Sequence, residues 1–269
     1  MQDQYAGDIG DYGKFGLLRI LAATGLIIGV NWYRTVDVPS GKSDNGRFVH
    51  YFSKSDLKSC DPALIETLEE IVQGNRSIRA LEEKQLIPRA IYFSRPLRPE
   101  MPTGFSRSKW HRKAMRALGK ADIVFCDPDN GLLAPSVSLR SGKSVQYITI
   151  DEIAECYSAG KSVIFYNHRC RQKESRYLQR FLTLKELPSF QQAAWLCLSY
   201  RRGTVRDYFF VLQPRHTAAV QKAVSGLLDS NWSRHFTKLD FERATAGPPQ
   251  LADKGGMLEA PPSNHHAVP

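Results

Sequence analysis

Two short runs, Asp122–Cys126 (DIVFC) and Ser162–Tyr166 (SVIFY), are almost continuously apolar, and each ends in a cluster of polar residues. A run of that length without alternation is the mark of a strand buried on both faces, as in a parallel sheet covered by helices. The rest of the chain fits around such a sheet. Apolar residues at helical spacing predict helices over Tyr12–Ala23, Asp61–Val72, Ile78–Gln85, Ser106–Leu118, Ile150–Ser158, Arg171–Leu187 and Thr217–Leu228. Pro62 falls in the first turn of its helix, where its missing N–H costs nothing, and Ser106 is a candidate cap. Shorter β-rich runs at Ile27–Tyr33, Phe48–Phe52 and Ala90–Phe93 predict further strands, and Ala194–Tyr200 with Asp207–Leu212 predicts an antiparallel pair. The segment Thr35–Arg47, dense in Gly, Pro, Ser and Asp, reads as a loop. Strands alternating with helices of this length imply a doubly wound, mostly parallel α/β sheet with an antiparallel C-terminal strand pair. Residues 1–244 read as a single α/β domain, and the Pro-, Gly- and Ala-rich residues 245–269 as a disordered tail.

Composition narrows the class. Apolar residues at 42% and charged residues at 24% exclude collagen, coiled coil and global disorder. No apolar run reaches the ~18 residues needed to span a bilayer. The best candidate, Leu17 to Val30, is broken by Arg19 and Gly25, and its flank lacks the basic region and cleavage site of a signal peptide. The five cysteines are scattered with no C-x-x-C pair, which predicts reduced thiols in a cytoplasmic protein and no thiolate metal site. Thirty-seven Lys and Arg against 27 Asp and Glu leave a net charge of +10. That excess favours a polyanionic partner, because phosphate-binding surfaces gain affinity by releasing counterions.

Four groups of residues carry possible chemistry. The first is the stretch Ala6-Gly7-Asp8-Ile9-Gly10-Asp11-Tyr12-Gly13-Lys14 at the mouth of a predicted helix. Its plain reading is a cap, with Asp11 capping, Asp8 in a turn and Lys14 solvated. Against that, Gly7, Gly10, Gly13 and Gly16 recur every three residues, a costly start for a helix unless a backbone or ligand must come close. The second is Asp127-Pro128-Asp129-Asn130-Gly131, which follows a buried strand. Turn chemistry accounts for these residue types, but strand ends in an α/β sheet line the ligand crevice. The third is Asn167-His168-Arg169 after the second buried strand, where His168 can act as acid, base or ligand near neutral pH.

The fourth is distributed basic charge. Eight Lys and Arg lie between Arg95 and Lys120 against Glu100 alone, with Trp110 and His111 among them. Six more lie from Arg169 to Lys185 with Tyr177 interleaved, and Arg201, Arg202 and Arg206 form a third group. Basic side chains with a few aromatics suit phosphate tracking and base stacking, which makes Arg107, Lys109, Arg112, Lys113, Arg169 and Arg171 candidate nucleic-acid contacts.

The opening AGDIGDYGKFGLLRIL resembles the N-terminal signature of the large-subunit ribosomal RNA adenine-N6 methyltransferases, of the form A-G-N-x-A-D-x-x-K-H before an apolar helix. Ala6, Gly7, Asp11 and Lys14 match at the same spacing; Asp8, Gly10 and Phe15 replace Asn, Ala and His. That family also ends a buried strand with D-P-P-Y/F, and Asp127-Pro128 is similar, with Asp129 and Asn130 in place of the second proline and the aromatic. The resemblance spans about Gln4 to Leu187 through two short motifs. It implies a class I methyltransferase-like sheet with S-adenosylmethionine as cofactor. Gly7, Asp8, Gly10, Asp11, Lys14 and Asp37 then fall on the cofactor side, and Asp127, Pro128, Asp129, Asn130 and His168 on the catalytic side. The missing aromatic after Pro128 removes the surface on which a flipped base would stack.

Two alternatives use the same residues. Asp8, Asp11, Asp127 and Asp129 can hold Mg²⁺ in a nuclease or phosphodiesterase, with Lys14 or His168 assisting. A non-catalytic nucleic-acid-binding protein needs only the basic surface. All three readings expect DNA or RNA as partner and no membrane, and all place the opening stretch and the Asp127 corner on one cavity.

Overall fold

The computed structural model describes residues 1–35, 48–98, 104–169 and 172–240. Asp37, Arg171 and residues 245–269, all named above, lie outside them, as does most of the Thr35–Arg47 segment.

Helix α1 runs Ile9–Ala22. Asp8 caps it, accepting the Asp11 N–H at 2.9 Å, so Asp11 is not the cap but sits in the first turn. Strand β1 is Ile28–Asn31. The strand expected at Phe48–Phe52 is absent: Phe48 and Val49 are irregular and the following residues form turns. They lead into α2 (Ser55–Lys58) and α3 (Pro62–Gln73), whose cap is Asp61. Helix α4 (Ile78–Glu83), strand β2 (Ile91–Phe93) and helix α5 (Gly104–Ala117) follow; Ser106 lies inside α5 and does not cap it. Strand β3 is Ile123–Cys126. Two-residue strands β4 (Gly131–Leu132) and β5 (Tyr147–Ile148) pair separately. Helix α6 (Ile150–Ser158) opens with a reciprocal Thr149–Glu152 capping box. The chain continues through β6 (Ser162–His168), α7 (Glu174–Lys185), β7 (Ala194–Arg202), β8 (Thr204–Leu212), α8 (Pro214–Leu228) and β9 (Phe236–Lys238).

The main sheet has the order β2-β1-β3-β6-β8-β7-β9. The β2-β1, β1-β3 and β3-β6 pairs are parallel, whereas β6-β8, β7-β8 and β7-β9 are antiparallel. Because β8 is reversed between them, β7 runs the same way as β6, so the sheet is mostly parallel in direction. The apolar runs alternate by face despite being apolar throughout. Ile123, Phe125 and Ile164 join a core with α1, α3 and α8, while Val124, Cys126, Val163 and Phe165 join a second core with α5, α6 and α7. Burial on both faces is why these strands show no polar alternation.

The glycine repeat has a packing cause. A Cβ at Gly13 would collide with the Tyr200 ring, one at Gly16 with the Trp232 indole, and one at Gly10 with the Arg206 guanidinium. The groups that approach α1 closely are therefore side chains of β7, β8 and the segment before β9. Gly7 has a φ of 75°, a left-handed conformation that favours glycine, and it packs on Val72 of α3.

Candidate active site

The carboxyl ends of β3 and β6, the first turn of α1 and the start of β8 enclose a cavity of about 310 Å³. Its position beside the β1/β3 strand-order reversal is where doubly wound sheets take ligands. The two stretches singled out from sequence meet here. Asp8, Gly10, Asp11 and Lys14 line one side, and Asp127, Pro128, Asp129 and Asn130 line the other, with His168 on the wall. Gly7 does not reach the cavity.

Lys14 joins the two sides. Its Nζ lies 2.6 Å from Asp11 Oδ1 and 2.6 Å from Asp127 Oδ2. All three side chains are buried, so the expectation of a solvated Lys14 is overturned. Burial alone would favour neutral Lys14, but the Asp11 and Asp127 charges outweigh it and hold the ammonium well above the ordinary lysine range. Burial pushes the Asp127 carboxyl up, against the opposing pull of Lys14. It pushes Asp11 up as well, again against Lys14. One ammonium shared by two carboxylates keeps its proton and leaves both acids with raised proton affinity.

The remaining acids also face cations. Asp8 Oδ2 is 3.5 Å from Arg206 Nη2, and Asp129 Oδ1 is 2.6 Å from the Met1 ammonium. That ammonium also donates to the Tyr33 carbonyl at 3.2 Å and the Asp127 carbonyl at 3.3 Å. Tyr33 has a φ of 44°, a costly conformation for an aromatic residue. It lies two residues beyond the carboxyl end of β1. The four carboxylates that a Mg²⁺ site would share are thus engaged by Lys14, Arg206 and the terminal ammonium. Among the described residues no three His, Cys, Asp or Glu side chains are grouped to hold a metal ion.

His168 is exposed at the cavity mouth, its Nδ1 3.0 Å from the Tyr166 hydroxyl. Desolvation, then the Arg206 charge, holds its pKa below the ordinary histidine value. Asn130 is tied to Gln146, donating from Nδ2 to Oε1 at 3.0 Å. Asn167 is structural: its Oδ1 accepts the Leu132 N–H at 2.9 Å and its Nδ2 donates to the Tyr177 hydroxyl at 2.7 Å.

The basic candidates divide. Arg107 is buried, donating to Glu152 Oε1 at 2.7 Å and Oε2 at 2.8 Å and to the Ser144 and Tyr147 carbonyls. Arg169 is committed to Asp207 at 2.8 Å and Glu174 at 2.5 Å. Both hold the fold and are not free to contact nucleic acid. Trp110, His111 and Tyr177 are buried too, so they offer no stacking surface. Lys109, Arg112 and Lys113, with Arg116, form one exposed face of α5.

Sequence reading missed several lining residues: Tyr5, Phe48, Tyr166, Thr204 and Arg206. In the sequence Arg206 stands out only as one of a basic group; the β6–β8 register sets it opposite His168 on the cavity. Aromatic rings do line this cavity, so the missing aromatic after Pro128 does not leave it without a stacking surface.

These features define a mixed α/β protein with one acidic-and-cationic cavity at the carboxyl edge of its parallel strands. Neither a family model nor a curated protein matches the chain. Among solved structures it is similar to protein LPL1258 from Legionella pneumophila str. Philadelphia 1, of family-model DUF519. That similarity has 11% identity and a TM-score of 0.44, and covers 87% of this chain and 97% of the other. No helix among the described residues is long and apolar enough to cross a membrane.

Proposed function

We propose that this chain is a methyltransferase-like enzyme that acts on nucleic acid with S-adenosylmethionine. One observation carries the proposal: the Lys14 ammonium bridges Asp11 and Asp127, joining the two motifs that resemble the adenine-N6 methyltransferases. The reversed β8 beside β6 supports a class I methyltransferase-like sheet.

Asp127 is the group that would meet a nucleobase amine. Its Oδ2 is held by Lys14, and its Oδ1 carries no hydrogen bond among the described residues. A carboxylate with raised proton affinity accepts an N–H better than a solvated one, and fixing it on Lys14 removes the cost of orienting it. Pro128, buried in the same turn, keeps that corner rigid.

The donor set fits the cofactor's methionyl end. Asp129 and the carbonyls of Tyr33 and Asp127 already converge on an ammonium, that of Met1, whose sulfur lies 3.9 Å from Lys14 Nζ. The same three oxygens would hold an amino-acid ammonium once Met1 withdraws. When bound, S-adenosylmethionine supplies an electrophilic methyl group. Lys109, Arg112 and Lys113 would track the phosphate backbone.

Calorimetry with S-adenosylmethionine should show binding, and label from its methyl group should pass to single-stranded RNA or DNA. Asp127→Asn should slow that transfer by ~10²–10⁴-fold. No heat at millimolar cofactor would remove S-adenosylmethionine from the account.

A further inference from the structure

We infer that Arg206 and Phe48 form a subsite for one unstacked nucleotide at the cavity mouth, Arg206 taking the phosphate and Phe48 the face of the base. The inference rests on the nucleic-acid reading above and adds which residues hold the nucleotide unit.

Arg206 comes from β8 and is only 12% exposed, yet it lines the cavity. Its guanidinium lies against the first turn of α1 at Gly10, where any Cβ would displace it. A glycine inside a helix is destabilising relative to alanine, and here it makes room for the cation. Its commitments among the described residues are slight for so buried a group. Nη1 donates to the Arg202 carbonyl at 2.9 Å, and Nη2 sees Asp8 Oδ2 at the long distance of 3.5 Å. Asp8 cannot close up easily, because its other oxygen caps α1. A guanidinium has five donors in a planar fork that matches a phosphate edge, and among the described residues most of those donors are uncommitted.

Phe48 supplies the second half. Three large hydrophobic side chains are exposed among the described residues, namely Phe48, Leu139 and Ile150. Phe48 is the aromatic one, 38% exposed, and it lines this cavity together with Arg206. Its carbonyl accepts the Ile9 N–H at 2.9 Å, which fixes its backbone to the start of α1. Gly203, at the β7–β8 turn with a φ of 68°, lets that turn pass close to the ring. An aromatic face and a guanidinium on one cavity complement the two parts of a nucleotide, the π-face of the base and its charged phosphate. Thr204 and His168 lie on the same wall, and Asp127 lies deeper, where an exocyclic amine would enter.

The test is calorimetric titration of the full chain with adenosine and cytidine 5′-monophosphates and with the two nucleosides, without cofactor. The monophosphates should bind ~10-fold or more tightly than the nucleosides. Arg206→Ala should erase that difference, and Arg206→Lys should restore part of it. Phe48→Ala should weaken nucleoside and monophosphate alike by about tenfold, whereas Phe48→Trp should retain both. Circular dichroism of each variant checks that the fold is kept, and the Lys and Trp variants keep the test valid if an alanine variant unfolds. Equal binding of nucleoside and monophosphate, a phosphate preference that survives Arg206→Ala, or no binding at millimolar concentration would each overturn the subsite. A phosphate preference without any methyl transfer would leave the subsite standing and remove the cofactor chemistry. Methyl transfer without a phosphate preference would do the reverse.

Discussion

Arg107 and Lys14 are both buried cations held by carboxylates, one on each side of the sheet, and their surroundings are opposite in kind. Arg107 meets Glu152 through two hydrogen bonds and spends its other donors on carbonyls of Ser144 and Tyr147. Glu152 also accepts from Tyr33 Oη and from the Thr149 N–H. Burial raises the Glu152 pKa, but Arg107, with His111 and the Thr149 N–H, outweighs it, and the carboxyl stays below its ordinary value. Lys14 offers one charge to two acids, and both Asp11 and Asp127 keep raised proton affinities. The first centre is electrostatically closed and lies away from the cavity. The second is left short of positive charge and faces the cavity. Shifted titratable groups lining a cleft mark a candidate functional site, whereas the Arg107–Glu152 pair, satisfied on both sides, holds the fold.

Three measurements would break or sharpen that contrast. The largest effect is on stability. Arg107→Ala leaves Glu152 buried without its cation and should cost ~3–5 kcal/mol in urea unfolding. Asp127→Asn removes a charge that burial disfavours and keeps Lys14 on Asp11, so its stability should stay within about 1 kcal/mol of the parent. Similar losses in both variants would dissolve the distinction between the centres.

Next in size is salt dependence. If the exposed α5 face contacts nucleic acid, replacing Lys109, Arg112 and Lys113 together by alanine should reduce the slope of log affinity against log salt by as much as about 3, roughly one per phosphate contact. Arg169→Ala should leave the slope unchanged, because that guanidinium is committed to Asp207 and Glu174. A steeper loss from Arg169 than from the triple variant would reverse the division of basic residues.

The smallest effect is on titration. His168 should titrate below the ordinary value near 6.5 by NMR of its ring protons, since desolvation and then Arg206 disfavour its cation. The folded chain then binds fewer protons there than the unfolded chain. This group's contribution to stability therefore falls as pH drops below about 6.5 and levels off below the folded pKa. In Arg206→Ala the midpoint should move part of the way back. An Arg206→Ala midpoint equal to the parent's would show that Arg206 does not bear on His168.

Much of the scaffold was readable from residue order. DIVFC and SVIFY are strands, the opening glycines precede a helix, and the late pair is antiparallel, because local burial leaves a periodic trace in neighbouring residues. The errors have local causes as well. Phe48–Phe52 has β-rich composition but forms turns, and Ser106 looked like a cap because its side chain suits one. Sequence order also supplied the two halves of the site, Asp11 with Lys14 and Asp127 with Pro128. What it did not carry is the state of each charge. Lys14 and Asp127 are 113 residues apart, and nothing near either one shows that they form a buried ion pair. Arg107 and Lys109 lie in one basic run, yet one is sealed on Glu152 and the other is exposed. Residue type sets how much charge a segment brings, but the energy of that charge depends on distance and dielectric. Those quantities exist only once distant segments have packed together.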